Sequence, residues 1–284
     1  MRIIEKIHEM QQQAESWRRE GKRIILVPTM GYLHEGHLAL MRTARRLGDI
    51  VVVSIFVNPT QFGPGEDYER YPRDMDRDRR LVEEVGSDVI FSPEAAEMYP
   101  AAYQTYVDVT KVTQPLCGKS RPGHFRGVTT IVAKLFNIVK PHSAVFGEKD
   151  FQQLVAIRKM VEDLNFDIDI VGHSIVREVD GLAMSSRNAY LAPDERHSAL
   201  RLNQSLDAAQ TLVERGEKRG QVILERVRSF LAGDKAVRTD YVEILRPDTL
   251  EEVHTVDGPV LLALAAYVGK ARLIDNRILV PRNQ

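Results

Sequence analysis

The sequence is poor in cysteine: Cys117 is alone among 284 residues. A single thiol cannot close an internal disulfide, so the fold relies on no covalent staple and suits a reducing compartment. No excess of either charge is present, with 39 Lys and Arg against 40 Asp and Glu and a formal net charge of −1. Proteins held by a nucleic-acid backbone usually carry a basic excess, and that class is excluded. Intrinsic disorder needs high net charge or few apolar residues, and 43% of this chain is hydrophobic. Long apolar runs are also missing. The longest, Val260 to Val268, falls far short of the ~20 residues that cross a bilayer. Near the start, Glu5, Lys6, His8 and Glu9 interrupt any signal-peptide core. Neither repeats nor low-complexity tracts occur. A soluble, cytoplasmic protein is expected. At ~150 residues per domain, the length suggests roughly two domains.

What is present alternates between two periodicities. Met1 to Gly21 suggests a helix around Trp17. Ile24 to Pro28 is a short unbroken apolar run, the mark of a strand buried on both faces. After a loop from Thr29 to Leu33, residues His34, His37, Leu40, Met41, Ala44 and Leu47 recur at helical spacing, and Gly48 sits where a helix stops. Ile50 to Val57 is a second buried strand. This strand–loop–helix–strand unit implies a parallel sheet with a right-handed crossover. Further helices are marked by Met75, Val82 and Val85, by Val128 to Ile138, and by Leu154 to Leu164. Further strands are marked by Val89 to Phe91, Ala144 to Phe146 and Ile168 to Val171. The charge run from Glu66 to Arg80 alternates in sign and reads as a solvated helix face. Beyond about residue 175 the pattern changes. A long amphipathic helix from Ala199 to Val213, with Pro193 at its first turn, precedes a helix from Val222 to Leu231. Strands follow at Tyr241 to Leu245 and Val260 to Val268. The expected architecture is a doubly wound parallel-sheet, Rossmann-like α/β domain over 1–175, then a smaller α+β domain over 176–284.

Several motifs fall at loops where such a fold carries chemistry. His34-Glu35-Gly36-His37 lies between a buried strand and a helix. Residues i and i+3 share a helix face, so both imidazoles point one way at a helix N-terminus, where free N–H groups favour an anion. Donors aimed at a phosphate suit nucleotidyl transfer. Two capping histidines are the plain alternative. Zinc is a third reading, but no cysteine pair or HExxH spacing completes a site. Asn58 and Gln61 follow the second strand, where ligands of open parallel sheets bind. Their amides suit a polyol or hydroxy acid, although Asn-Pro is also an ordinary turn. Asp150 and Gln153 fit a helix capping box, whereas Lys149 puts a cation at the positive end of a helix and so suggests phosphate. Ser185, Ser186 and Arg187 offer hydroxyls and a guanidinium for phosphate oxygens, or form a surface loop. Arg121, in Ser120 to Gly127, could hold a carboxylate or phosphate or lie in a solvated turn. No activating base accompanies Cys117, which reads as a packed residue.

Taken in order, these motifs resemble the pantothenate synthetase (pantoate–β-alanine ligase) family. The matching stretches are Pro28 through His37, Phe56 through Phe62, Arg121 to Phe125, Phe146 to Gln153, Met184 to Asn188 and Ala271 to Asn276. HxGH by itself would indicate only the wider nucleotidylyltransferase superfamily. The series covers essentially the whole chain.

The resemblance implies an ATP-dependent ligase. Pantoate attacks the α-phosphorus of ATP to give pantoyl adenylate and pyrophosphate, and β-alanine then attacks the acyl carbon and releases AMP. It implies catalytic roles for His34, His37 (proton donor) and Lys149. ATP contacts are implied at Met30, Gly31, Tyr32, Leu33, His34, Glu35, Gly36 and His37, and at Gly147, Glu148, Lys149 and Asp150. Val176, Met184, Ser185, Ser186 and Arg187 complete that set. Pantoate and β-alanine contacts are implied at Gln61 and Gln153, beside the residue-level candidates Asn58 and Arg121. Mg²⁺ is expected with the triphosphate, held mostly by phosphate oxygens and water, with no protein metal ligands. A homodimer is expected, with no nucleic-acid or membrane partner. The second domain is expected to act as a mobile lid. A dinucleotide-forming adenylyltransferase would share HxGH but would want a basic pocket for its second phosphate, and the amides Asn58, Gln61 and Gln153 argue against it. A non-catalytic ATP-binding module is disfavoured by the histidine pair with Lys149 and Arg187.

Overall fold

The structure, a computed structural model, describes residues 1–281. In chain order its strands are β1 (Arg2–Ile4), β2 (Ile24–Thr29), β3 (Ile50–Ile55), β4 (Val89–Phe91), β5 (Ser143–Gly147), β6 (Asp169–His173), β7 (Val237–Leu245), β8 (Val260–Val268) and β9 (Ala271–Leu279). Its α-helices are α1 (Ile7–Arg19), α2 (Glu35–Leu47), α3 (Met75–Glu84), α4 (Ala95–Met98), α5 (Cys117–Ser120), α6 (His124–Val139), α7 (Phe151–Asp163), α8 (Pro193–Ala199), α9 (Arg201–Glu214) and α10 (Gly220–Ala232). Short 3₁₀ turns cover Pro59–Gln61, Glu148–Asp150 and Ser186–Tyr190. No helix among the described residues is long and apolar enough to cross a membrane.

The chain divides into two compact units. The first comprises Met1–Lys111, Arg121–Glu148 and Ala156–Ser174. It holds a six-stranded sheet in the order β1-β4-β3-β2-β5-β6, with every pairing parallel. This is the expected doubly wound, Rossmann-like sheet. The chain runs outward from β2 through β3 in one direction and from β5 to β6 in the other, so the topological switch lies between β2 and β5. Alternation along the strands decides which helix each side chain meets. Ile25 and Val27 of β2, with Val51 and Val53 of β3, pack under Leu40, Met41 and Ala44 of α2 and Val82 of α3. The opposite face of β2 meets α1 and α6.

The second unit gathers Val112–Ser120, Lys149–Val155 and the chain from Ile175 onward. Its sheet is antiparallel in the order β7-β8-β9. Leu202, Leu206 and Val213 of α9 and Ile223, Val227 and Leu231 of α10 pack with Val242, Ile244, Leu262 and Leu264. Three local expectations need correction. The N-terminal stretch contributes β1 before its helix, because Arg2 to Ile4 is paired in parallel with β4, a partner remote in sequence. The helix expected from Pro193 onward breaks into α8 and α9. The third strand of the small sheet, β9, carries polar residues at buried positions and therefore hides its strand character from apolar patterning.

Candidate active site

The chemistry of the first unit gathers where β2 and β3 end. After Thr29 the chain turns through Gly31 (φ +81°) and Tyr32 (φ +48°). A Cβ on Gly31 would lie 2.9 Å from Asp78 Oδ2 and 3.0 Å from Ile55 Cγ2, so both the space and the backbone demand glycine. The Thr29 hydroxyl donates to the Ser54 carbonyl at 2.8 Å and accepts the Gly31 N–H at 3.2 Å. Asp78, on α3 and 1% exposed, accepts the N–H groups of Tyr32 and Leu33, each at 2.7 Å. Burial lifts the Asp78 carboxyl above the ordinary carboxylate range, although both amides and Arg77 favour its charge. The Arg77 guanidinium lies 5.0 Å from the centre of the Tyr32 ring. The expectation of a solvated charged face therefore fails at Asp78, which is buried as an acceptor for this loop. One signal for it exists in the sequence: Asp78 shares the helical stripe of Met75, Val82 and Val85.

His34 is the N-cap of α2, in extended backbone at φ −136° and ψ 173°. Its N–H donates to His37 Nδ1 at 3.3 Å, while the His37 N–H donates to the His34 carbonyl at 2.8 Å. The ring centroids stand 4.0 Å apart. A nitrogen that accepts carries no proton, so the neutral His37 ring bears its hydrogen on Nε2. The two residues thus cap the start of α2 through each other, the plain reading of the motif.

Behind β3, Asn58 is 1% exposed. Its Nδ2 donates to Gln61 Oε1 and to the Gly127 carbonyl, each at 3.1 Å. Its Oδ1 accepts from the Tyr99 hydroxyl at 2.9 Å and the Thr60 hydroxyl at 3.0 Å. Burial pushes the Tyr99 phenol up to about 12, so at neutral pH it remains a donor. With both hydrogens and both lone pairs engaged, Asn58 orients Gln61. Gln61 Nε2 in turn lies 2.9 Å from Met30 Sδ. Helix α6 comes close here: a Cβ on Gly127 would fall 2.3 Å from the Thr60 carbonyl oxygen.

Arg121 braces the same turn. It donates from Nε to Glu66 Oε1 at 2.7 Å and from Nη2 to Glu66 Oε2 at 2.5 Å, and Nη2 also reaches the Gln61 carbonyl at 3.2 Å. Burial raises the Glu66 carboxyl, but the Arg121 hydrogen bonds and charge outweigh it and hold the group below the usual range. His124 Nδ1 lies 2.8 Å from the Gln61 carbonyl, which can only accept, so that nitrogen carries the proton. Glu66, like Asp78, is thereby removed from the solvated run.

The remaining expected residues belong to the second unit or border it. Gly147 ends β5, and Glu148–Asp150 form a 3₁₀ turn continued directly by α7. Lys149 Nζ lies 3.1 Å from Asp150 Oδ2. Gln153 is half-buried in the first turn of α7. Its neighbour Gln152 is buried; Nε2 donates to the carbonyls of Val112 at 3.0 Å and Pro115 at 2.7 Å, and Oε1 accepts the Cys117 N–H at 3.0 Å. Val176 and Met184 face each other in a short hairpin, with the Met184 N–H donating to the Val176 carbonyl at 3.0 Å. Ser185 accepts the Arg187 N–H at 3.2 Å, and Asn188 Nδ2 donates to the Ala183 carbonyl at 3.0 Å, so Met184 to Arg187 form a braced turn.

The family described as Pantoate-beta-alanine ligase matches residues 2–278. The chain belongs to this family. Pantothenate synthetase of Syntrophobacter fumaroxidans is 65% identical over 281 residues, covering 99% of each chain. That of Geobacter sulfurreducens is 59% identical over 279 residues, covering 98% of this chain and 99% of the relative. The crystal structure of pantothenate synthetase from Thermus thermophilus superposes with a TM-score of 0.94 at 44% identity, over 99% of this chain and 100% of that one. The pantoate-beta-alanine ligase of Francisella tularensis, complexed with beta-gamma ATP and β-alanine, superposes with a TM-score of 0.80 at 32% identity, over 98% and 97% of the two chains. The protein is therefore an enzyme, a ligase, as its motifs led one to expect. Asp78, Glu66 and Gln152 hold polar stretches of the chain in place and were not among the expected site residues. Each acts through main chain or another side chain, which residue type and spacing do not reveal.

Proposed function

We propose that the enzyme condenses pantoate with β-alanine at the expense of ATP, through a pantoyl adenylate. The observation that carries this reading is the His34–His37 pair at the start of α2, with ring centroids 4.0 Å apart at the carboxyl edge of a parallel sheet. It is supported by the Francisella relative, whose structure is of a complex with beta-gamma ATP and β-alanine.

In the first step a pantoate carboxylate oxygen bonds to the α-phosphorus, and the bond to the bridging oxygen of pyrophosphate breaks. Charge grows on the phosphoryl oxygens and on the leaving group. His37 meets it with Nε2–H, since Nδ1 is occupied by the His34 N–H. Met30 to His37 line the nucleotide, with Gly147 to Asp150, Val176 and Met184 to Arg187 as its further contacts. Lys149 and Arg187 supply cations, and Asp150 takes the ribose. Gln61 and Gln153 hold pantoate, and Asn58 with Arg121 keeps Gln61 in register. In the second step the β-alanine amine bonds to the acyl carbon, loses a proton, and AMP departs with the carboxyl oxygen. No covalent enzyme intermediate forms, so positioning and charge stabilisation supply the rate.

Mg²⁺ accompanies the triphosphate. No group of three His, Cys, Asp or Glu side chains able to hold a metal occurs among the described residues. The ion would be held by phosphate oxygens and water, with the chain providing no cage. A cytoplasmic homodimer completes the proposal. The deciding assay measures pyrophosphate release from ATP with pantoate, then AMP release on adding β-alanine. Pyrophosphate release with nicotinate mononucleotide in place of pantoate would redirect the reading to dinucleotide synthesis, and no turnover with either would leave a nucleotide-binding protein.

A further inference from the structure

We infer that Asp275 and Asn276 of β9 are positioning residues for ATP, one dipeptide holding two separate ATP-contacting stretches of the second unit. The inference rests on the proposed contacts of Lys149, Val176 and Met184 with the nucleotide.

Consecutive strand residues point to opposite faces, so one dipeptide can grip two segments at once. Asp275 is 3% exposed and Asn276 is 7% exposed. The Asp275 carboxylate receives Arg177 in a two-bond fork, Nη1 to Oδ2 at 2.7 Å and Nη2 to Oδ1 at 2.9 Å. Arg177 Nη1 also donates to the Gly181 carbonyl at 3.1 Å. Arg177 is paired with Ala183 across the hairpin whose next pair outward is Val176 and Met184. A forked guanidinium–carboxylate contact fixes angle as well as distance. It therefore sets the direction in which Val176 and Met184 are presented. Asn276 Nδ2 donates to the Lys149 carbonyl at 3.0 Å. That bond holds Lys149 by its main chain, while its ammonium lies 3.1 Å from Asp150 Oδ2.

Stability by itself does not call for this arrangement. A buried ion pair is often no more stabilising than well-packed apolar residues of similar volume, and the rest of the β8–β9 ladder is largely apolar. What the polar dipeptide provides is registry between a hairpin and a turn that lie far apart in sequence.

The test is steady-state kinetics of the full-length enzyme, with ATP and β-alanine varied in turn, alongside melting temperature. For Asn276→Ala the KM for ATP rises about fivefold, the loss expected for one buried hydrogen bond, while the KM for β-alanine stays unchanged. Asn276→Asp, which keeps size but loses the donor, behaves the same way. Arg177→Lys keeps the charge without the fork and shifts the KM for ATP in the same direction. Should the KM for ATP stay at the wild-type value in these variants, or rise only in step with that for β-alanine, the assignment is overturned. If the wild type itself does not turn over these substrates, the proposed reaction fails. The Kd of a fluorescent ATP analogue, compared between wild type and Asn276→Ala, then still decides the positioning role.

Discussion

Asp78 accepts the main-chain N–H of Leu33 at 2.7 Å, one residue before the first histidine of the HxGH motif. A carboxylate thus sets the path of the backbone that delivers His34. Its burial raises its own pKa, so the fold tolerates an unfavourable charge to hold a strained turn.

Activity and stability should part company at Asp78. In Asp78→Asn one of the two amide bonds becomes a donor facing a donor. We expect kcat/KM to fall at least about tenfold, as for the loss of roughly 1.4 kcal/mol or more of positioning. Thermal stability should not fall in parallel, because the substitution also removes a buried charge. A melting curve set beside the kinetics checks this; a large drop in melting temperature with proportionate loss of activity would make Asp78 a stability residue only.

Removing the second histidine should stop the first half-reaction. His37→Ala deletes the Nε2–H donor and the acceptor for the His34 N–H. Pyrophosphate release should drop by about 10²–10³, the range for loss of one oriented transition-state donor. Binding of an ATP analogue should survive in part. Undiminished pyrophosphate release would remove His37 from the reaction.

The contact between α6 and the Pro59–Gln61 turn should admit no side chain. A methyl group on Gly127 meets Thr60 and Gln61 backbone atoms at 2.3 to 2.6 Å. Main chain on both sides cannot rotate away, so Gly127→Ala should destabilise by about 1–3 kcal/mol or more. Chemical denaturation followed by circular dichroism measures it, and the residual folded enzyme should show a raised KM for pantoate.

Acid should loosen the Glu66–Arg121 brace. Folded Glu66 titrates below its ordinary value of 4.5. Its contribution is therefore complete at pH above that value and is lost as the pH falls through the lower folded value. In Glu66→Gln the stability difference from wild type should be largest near neutrality and shrink on acidification below about 4.5. Unfolding free energies measured across that range test the sign. A difference independent of pH would show that shape, not charge, holds Arg121.

Much of the fold could be read in advance, because a strand buried on both faces must be apolar throughout and a flanking helix must carry an apolar stripe. Ile24 to Val27 and Ile50 to Ile55 satisfy the first requirement, and Leu40, Met41 and Ala44 the second. The small sheet was only partly visible. Val260 to Val268 announces itself, whereas β9 interleaves Arg272, Asp275 and Asn276 with its apolar residues. The charge run from Glu66 to Arg80 misled for the same reason. Sign alternation resembles a solvated face, but Glu66 and Asp78 face partners from elsewhere in the chain.

By itself the sequence determined the alternation of strands and helices, the strand-end positions of the polar motifs, and a family resemblance that the whole-length comparison bears out. These are local properties, set by periodicity, turn chemistry and residue type. Only the tertiary structure decided which polar residues hold others in place. Asn58 became the orienter of Gln61, Asp78 the clamp on Tyr32 and Leu33, and Asp275 with Asn276 the strut between Arg177 and Lys149. The partners in the last two arrangements lie tens of residues apart or more. A hydrogen bond is a distance in space, and no spacing along the chain specifies it.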